Sequence, residues 1–461
     1  EGPELDMRRE RDGRIVIAGL AFRDSAEGDS AAADWLFSQA EVAIRGGTLR
    51  WTDEQRSAEP LALTEVSVVL RNSARRHQVR LDATPPAEWG APFTLRGQFR
   101  QPLLSTHSGD WQRWSGELFA HFPRVDVSRL HRHADLEGLQ VMQGRGAVRA
   151  WVDVQRGQIG GGTVDMALDE VNATLGKNLR PLALRTVTGR VGGRWRDDGF
   201  ELSTQNLQFV ADDGLRWPGG NLALRHSGQG QAGRERGELQ ADRLDLAALA
   251  QIASRLPLGD TVHGAVRDYA PRGLVEQLRA EWQGPLAQPQ KYQVRGKVAG
   301  LALAADDAVP TVAGLSGAQV SFDLTQAGGQ AELAMADGTL RLPGVFEEPV
   351  VPVQRLEAGV RWQIEGERIA VQTSQLRFAN ADAQGEARLS WHTGDPAASP
   401  ARARFPRVLD LSGTLSRADG TRVHRYLPLT VPAESRHYVR DAILAGTASQ
   451  VQFRVKGDLH D

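Results

Sequence analysis

Apolar and polar residues alternate with period two through most of this chain, the signature of strands with one buried face. Val66, Val68 and Leu70 begin the pattern. Val148, Ala150, Val152 and Val154 alternate with Arg149, Trp151 and Asp153, and Val164, Met166 and Leu168 with Asp165, Ala167 and Asp169. Val320, Phe322 and Leu324 flank Ser321 and Asp323, and Val360, Trp362 and Ile364 flank Arg361 and Gln363. Ile369, Val371, Leu376, Phe378, Leu389 and Trp391 extend the run, and Val451, Phe453 and Val455 close it.

Turn residues punctuate the strands at short intervals. Asp197-Asp198-Gly199, Ala211-Asp212-Asp213-Gly214, Ala327-Gly328-Gly329, Asp337-Gly338 and Glu365-Gly366-Glu367 read as hairpin turns. From about 315 to 391 the chain reads as a meander. Leu61–Val66 (LALTEV) resembles Leu182–Val187 (LALRTV), a repeated strand grammar without a strict period. Helices are few: Leu244–Leu256, a short one from Asp126 to Arg132, Ala418–Tyr426 and Ser435–Leu444.

The predicted fold is mainly β: a long, twisted and curled antiparallel sheet forming an elongated, taco-like apolar groove, with short helices alongside. At about 150 residues per domain, length alone gives three domains. The alternation and the lack of a linker favour one elongated unit over 1–461, with sub-segments 1–125, 126–260 and 261–461. Asp395–Pro400 and Gln229–Gly237 are loops, not boundaries. The start at Glu1 and the stop within a strand-like pattern read as a piece of a larger protein.

Composition then removes classes. The 55 Lys+Arg and 57 Asp+Glu give a net charge of -2, without the positive field of a general nucleic-acid binder. Cys is absent, which excludes disulfides, thiol nucleophiles and Cys-ligated metals. No apolar run reaches the roughly 18 residues of a membrane-spanning helix. Lysine occurs only at 177, 291, 297 and 456, and the arginine-rich balance reads as codon bias.

Candidate chemistry is sparse. His131-Arg132-His133 reads as surface histidines rather than a metal site. Gly144-Arg145-Gly146 and Gly160-Gly161-Gly162 lack the Gly-Lys-Ser/Thr sequel of a phosphate loop. The acidic pairs 197–198, 212–213, 306–307 and 347–348 sit among turn-formers and read as solvated. Trp111 and Trp114 read as core or sheet anchors, with sugar stacking as the alternative. No nucleophile motif is present, so neither an enzyme nor a cofactor is expected.

What remains is apolar surface. Roughly 30 strands at about 4.8 Å spacing make a ladder of order 140 Å. Such a sheet twists, and its few helices cannot cover it. It must split into sandwiches or curl into a trough lined by aliphatic residues. The candidate lining residues are Val66, Val68, Leu70, Val164, Met166, Leu168, Val320, Phe322, Leu324, Val360, Trp362, Ile364, Ile369, Val371, Leu376, Phe378, Leu389, Val451, Phe453 and Val455.

Several runs resemble the YhdP family of AsmA-like bacterial envelope proteins. They are Asp34–Glu54 (DWLFSQAEVAIRGGTLRWTDE), Arg76-His77, Thr84–Gly90 (TPPAEWG), Gly109–Phe119 (GDWQRWSGELF), Ala418–Leu429 (ADGTRVHRYLPL) and Val439–Thr447 (VRDAILAGT). The resemblance implies a bridge-like lipid-transfer protein of the Gram-negative periplasm, anchored in the inner membrane by a segment outside this chain. It implies phospholipids as cargo and outer-membrane or envelope proteins as partners, with no catalytic residues. A scaffold of stacked β-sandwiches and a β-rich carbohydrate-active enzyme are the alternatives.

Overall fold

The computed structural model describes residues 2–17, 19–22, 31–56, 59–103, 105, 107–131, 140–176, 179–230, 233–256, 260–286, 288–305, 313–394 and 408–458. The protein is mainly β, 64% strand, in a mixed sheet that is not closed, with a few short helices. The contacts divide it into two compact units, 1–225 with 254–257, and 226–253 with 258–461.

The first unit holds β1 (Glu4–Arg9), β2 (Ile15–Ile17), β3 (Leu20–Phe22), β4 (Glu41–Asp53), β5 (Leu61–Ser73), β6 (Arg76–Thr84), β7 (Phe93–Arg100), β8 (Ser115–Asp126), β9 (Gln140–Gln155), β10 (Gln158–Thr174), β11 (Leu182–Arg196), β12 (Gly199–Ala211) and β13 (Arg216–Trp217). From β4 to β12 each strand pairs antiparallel with the next. The exception to the expected antiparallel sheet is β1, which pairs parallel with β4. That pairing spans some 44 residues of sequence, and no hairpin signal announces it. β14 (Leu222–Ser227) pairs with β12.

The second unit runs as a meander. It comprises β15 (Arg236–Asp245), β16 (Arg272–Gln283), β17 (Lys291–Leu303), β18 (Gly314–Thr325), β19 (Gly328–Arg341), β20 (Val350–Glu365), β21 (Arg368–Ala379), β22 (Ala383–His392), β23 (Val408–Asp419), β24 (Thr447–Ala448) and β25 (Val451–Asp458). β25 pairs with β23.

Helices are short: α1 (Ala31–Ser38), α2 (Val127–His131), α3 (Leu246–Ile252), α4 (Asp260–Tyr269) and α5 (Ala433–Ala442). The helix expected from Leu244 begins later, because β15 runs through Asp245, whose carboxylate caps α3 by accepting from Ala248 N at 3.0 Å. Similarly β23 continues to Asp419. The segment Gly420–Tyr426 is a 3-10 helix rather than an α-helix, with Asp419 accepting from Thr421 N at 2.9 Å. The sequence gives little warning of α1 and α4: one has only eight residues, and the other carries Gly264 and three β-branched residues.

Most expected turns stand where predicted, at 197–198 and 366–367 among others. Asp337-Gly338 does not, since both residues lie inside β19. Asp337 has φ 52°, and the register against β18 slips between Ser316 and Ala318. The pair therefore forms a bulge, where a left-handed residue adds an extra position to one strand. Glu65, Glu170, Asn206 and Gln277 have the same left-handed φ, each at a register shift.

These bulges explain the internal similarity. At Glu65, Glu170 and Gln277 the apolar spacing lengthens from two residues to three, as Leu63–Val66, Leu168–Val171 and Val275–Leu278, and the same skip marks the register shifts at Leu184–Val187 and Val298–Leu301, so the apolar residues stay on one face. Asp337→Val should lower the stability of the second unit by about 1–2 kcal/mol, because a β-branched residue is strained at positive φ. Asp337→Gly should leave it unchanged or slightly raised. Equal melting of the two variants would contradict the bulge.

Candidate functional site

Directly paired residues of a β-ladder lie on the same face. The ladders therefore place each predicted lining residue. In the first unit, one row runs Ile44, Val68, Leu81, Leu95, Ala120, Ala150, Val164, Val191 and Thr204, from β4 to β12 without a gap. Leu70 lies in the neighbouring row, between Val42 and Val79. Met166 pairs with Val148, and Leu168 with Val187. Val66 pairs with Gly47 and is 1% exposed, in a cluster with Leu63 and Ala83.

In the second unit a row runs Leu244, Val275, Val298, Val320, Leu333, Ala358, Leu376, Ala387, Gly413 and Phe453, from β15 to β25. Beside it lies Phe322, Ala331, Val360, Thr373, Leu389, Leu411 and Val455. A third row holds Leu324, Gly329, Trp362, Val371, Trp391 and Leu409. On the other flank stand Ala318, Met335, Leu356, Phe378, Gly385, Leu415 and Val451. Ile364 pairs with Ile369 beside the hairpin turn. The predicted residues of each unit thus belong to coherent apolar rows. Alternation alone missed Met335, Leu356, Leu333 and Val298, although the three-residue skip was there to be read.

Part of the glycine content serves this face. The rings of Trp282, Phe322, Trp362 and Phe453 lie over Gly237, Gly296, Gly329 and Gly413, where a side chain would collide with them. Aromatic rings laid over strand glycines recover apolar contact that glycine lacks.

The rows are closed into a core only in part: Ala318, Met335 and Leu356 are buried in a cluster with Val353, whereas other row residues stay accessible. Phe322, Trp362, Val371, Phe378 and Leu389 are only partly buried. Among the described residues, Val66 and Asp53 are the largest side chains that are fully buried. Partly buried residues that recur along neighbouring strands are what an uncovered sheet face leaves, and they disfavour stacked closed sandwiches.

The opposite face is charged and cross-linked by ion pairs. Arg190 meets Asp165 at 2.5 Å, Arg295 meets Asp323 at 2.9 Å and Arg454 meets Asp410 at 2.8 Å. The Arg190 guanidinium holds the Asp165 carboxyl below its usual range, although desolvation pushes the other way. Being largely exposed, each pair is worth about 1 kcal/mol or less.

Other sequence candidates find structural places. Trp114 is buried and stacks on His77, with centroids 3.9 Å apart and planes 2° apart. Burial pushes the His77 pKa down, against its bond to Gln101. Trp111 is exposed, so the two tryptophans do not share one platform. Glu347 and Glu348 are not merely solvated. Glu347 accepts from Arg436 and His437, each at 3.2 Å, and Glu348 from Arg425 at 2.9 Å, which ties the 3-10 helix and α5 to the loop between β19 and β20. The Gly144 and Gly160 runs lie in or beside β9 and β10, not in a phosphate loop. His133, Asp306-Asp307 and the loop Asp395–Pro400 fall outside the described residues. No group able to hold a metal occurs among the described residues.

An open sheet with one apolar and one charged face, and with bulges that keep the apolar face in phase, defines a β-sheet protein that presents apolar surface instead of enclosing it. The chain belongs to the YhdP family, whose model, described as YhdP protein, matches residues 1–461. No curated protein and no solved structure matches it.

Proposed function

We propose that this chain carries phospholipid between the inner and outer membranes of a Gram-negative envelope, with acyl chains lying along the apolar rows of each unit. The observation that carries the reading is the run of paired apolar residues, unbroken from β4 to β11 and continued from β15 to β25, left partly exposed. An acyl chain needs contiguous apolar surface and no specific polar partner. Membership of the YhdP family supports an envelope lipid-transport role. The protein works in the periplasm without catalysis or cofactor, as part of an inner-membrane-anchored whole that meets envelope partners.

Photo-crosslinking amino acids tests it. At Phe322, Trp362 or Phe378 they should capture phospholipid that co-purifies with the protein, read by mass spectrometry. At Asp323, Arg361 or Gln363, on the opposite face, they should capture little. Equal labelling of both faces would sink the assignment.

A further inference from the structure

On the charged face of β20–β25 lies an open cavity of about 950 Å³. Its lining includes Arg355, Arg377, Arg388 and Arg454 against one carboxylate, Glu386. These arginines alternate with row residues: Arg377 lies between Leu376 and Phe378, Arg388 between Ala387 and Leu389, Arg454 between Phe453 and Val455. The cavity is therefore on the side of the strands away from the apolar rows.

Three of the four guanidinium groups have carboxylate partners. Arg355 meets Glu357 at 2.7 Å, Arg377 meets Glu386 at 3.2 Å and Arg454 meets Asp410 at 2.8 Å. Arg388 has no ion pair or side-chain hydrogen bond among the described residues. It stands in register with Ser412, which stands in register with Arg454. Two guanidinium groups thus flank a small hydroxyl across two strand spacings, roughly 10 Å. That span suits an anion of two or three linked phosphates. The exposed ion pairs around it cost little to open, and guanidinium binds phosphate oxygens in bidentate fashion.

We propose that this cavity binds a phosphate-class anion, with Arg388 as the anchoring charge and Arg377 and Arg454 recruited from their ion pairs. The site does not depend on what occupies the opposite face.

Titration calorimetry of the 461-residue chain with sodium tripolyphosphate tests the proposal. Saturable binding that weakens with added salt is expected. Arg388→Gln should weaken it at least tenfold. Arg243→Gln removes the same charge from an exposed place on β15 and should change affinity less than twofold. Absence of saturable binding, or equal loss in both variants, would overturn the site. Circular dichroism melts should confirm that both variants fold, as surface substitutions allow. Competition by short-chain phosphatidate then separates the sources. Displacement that is lost in Arg388→Gln assigns a lipid head group, and no displacement assigns a soluble phosphate. Displacement that survives in Arg388→Gln also counts against the site.

Discussion

Phe322→Asp is expected to abolish phospholipid capture by the second unit while leaving the first unit folded. Phe322 sits mid-row between Gly296 and Ala331, with its ring over Gly296. A carboxylate placed against an acyl chain costs about 3 kcal/mol, roughly a hundredfold in affinity. The fold should tolerate it better, because Phe322 is only partly buried and a sheet of nearest-neighbour ladders spreads local damage little. Trp362→Arg, in the next row, should act alike. Gln363→Glu, on the polar face, should not. Native mass spectrometry reads retained lipid and calorimetry the melting of each variant. In the full-length protein, envelope lipid homeostasis that survives Phe322→Asp would exclude an acyl path over this row.

The apolar face was legible because alternation is local. Val320, Phe322 and Leu324 announce a strand face without reference to any partner. The hairpin turns were legible for the same reason, as at 366–367. Asp337-Gly338 shows where a local signal is ambiguous. Left-handed backbone serves a turn and a bulge equally, and only the register against β18 distinguishes them. The three-residue skips were also written in the sequence, at Leu63–Val66 and Leu184–Val187, but a strict period-two template passes over them. Contacts distant in sequence were not legible at all. The acidic pair at 347–348 looks like a turn, and only the fold brings Arg425 and Arg436 to it. The parallel docking of β1 on β4 is of the same kind.

That docking gives the largest stability effect expected. Asp53 is 2% exposed, and Arg9, its register partner across the parallel pair, binds it through Nε at 3.0 Å and through Nη2. The backbone N–H groups of Gln55 and Arg56 donate to the same carboxylate, at 3.1 and 3.2 Å. Burial pushes the Asp53 pKa up, but the Arg9 hydrogen bond, the Arg56 N–H and both positive charges outweigh it and hold the pKa below its ordinary 3.8. A carboxyl whose pKa is depressed on folding contributes stability above its unfolded pKa. That contribution is lost as pH falls from about 3.8 through the lower folded value. Arg9→Leu leaves the carboxylate buried without its guanidinium and should cost about 3 kcal/mol at pH 7. In the variant the folded pKa is raised instead, so acid relieves the penalty. The gap in unfolding free energy between Arg9→Leu and the parent should therefore narrow as pH drops from 6 towards 3.5. Asp53→Asn with Arg9→Leu should recover part of the loss at pH 7, because no charge is left buried. Denaturant unfolding across this pH range measures it. A gap that stays constant with pH would mean that Arg9 acts by packing, not by holding the charge of Asp53.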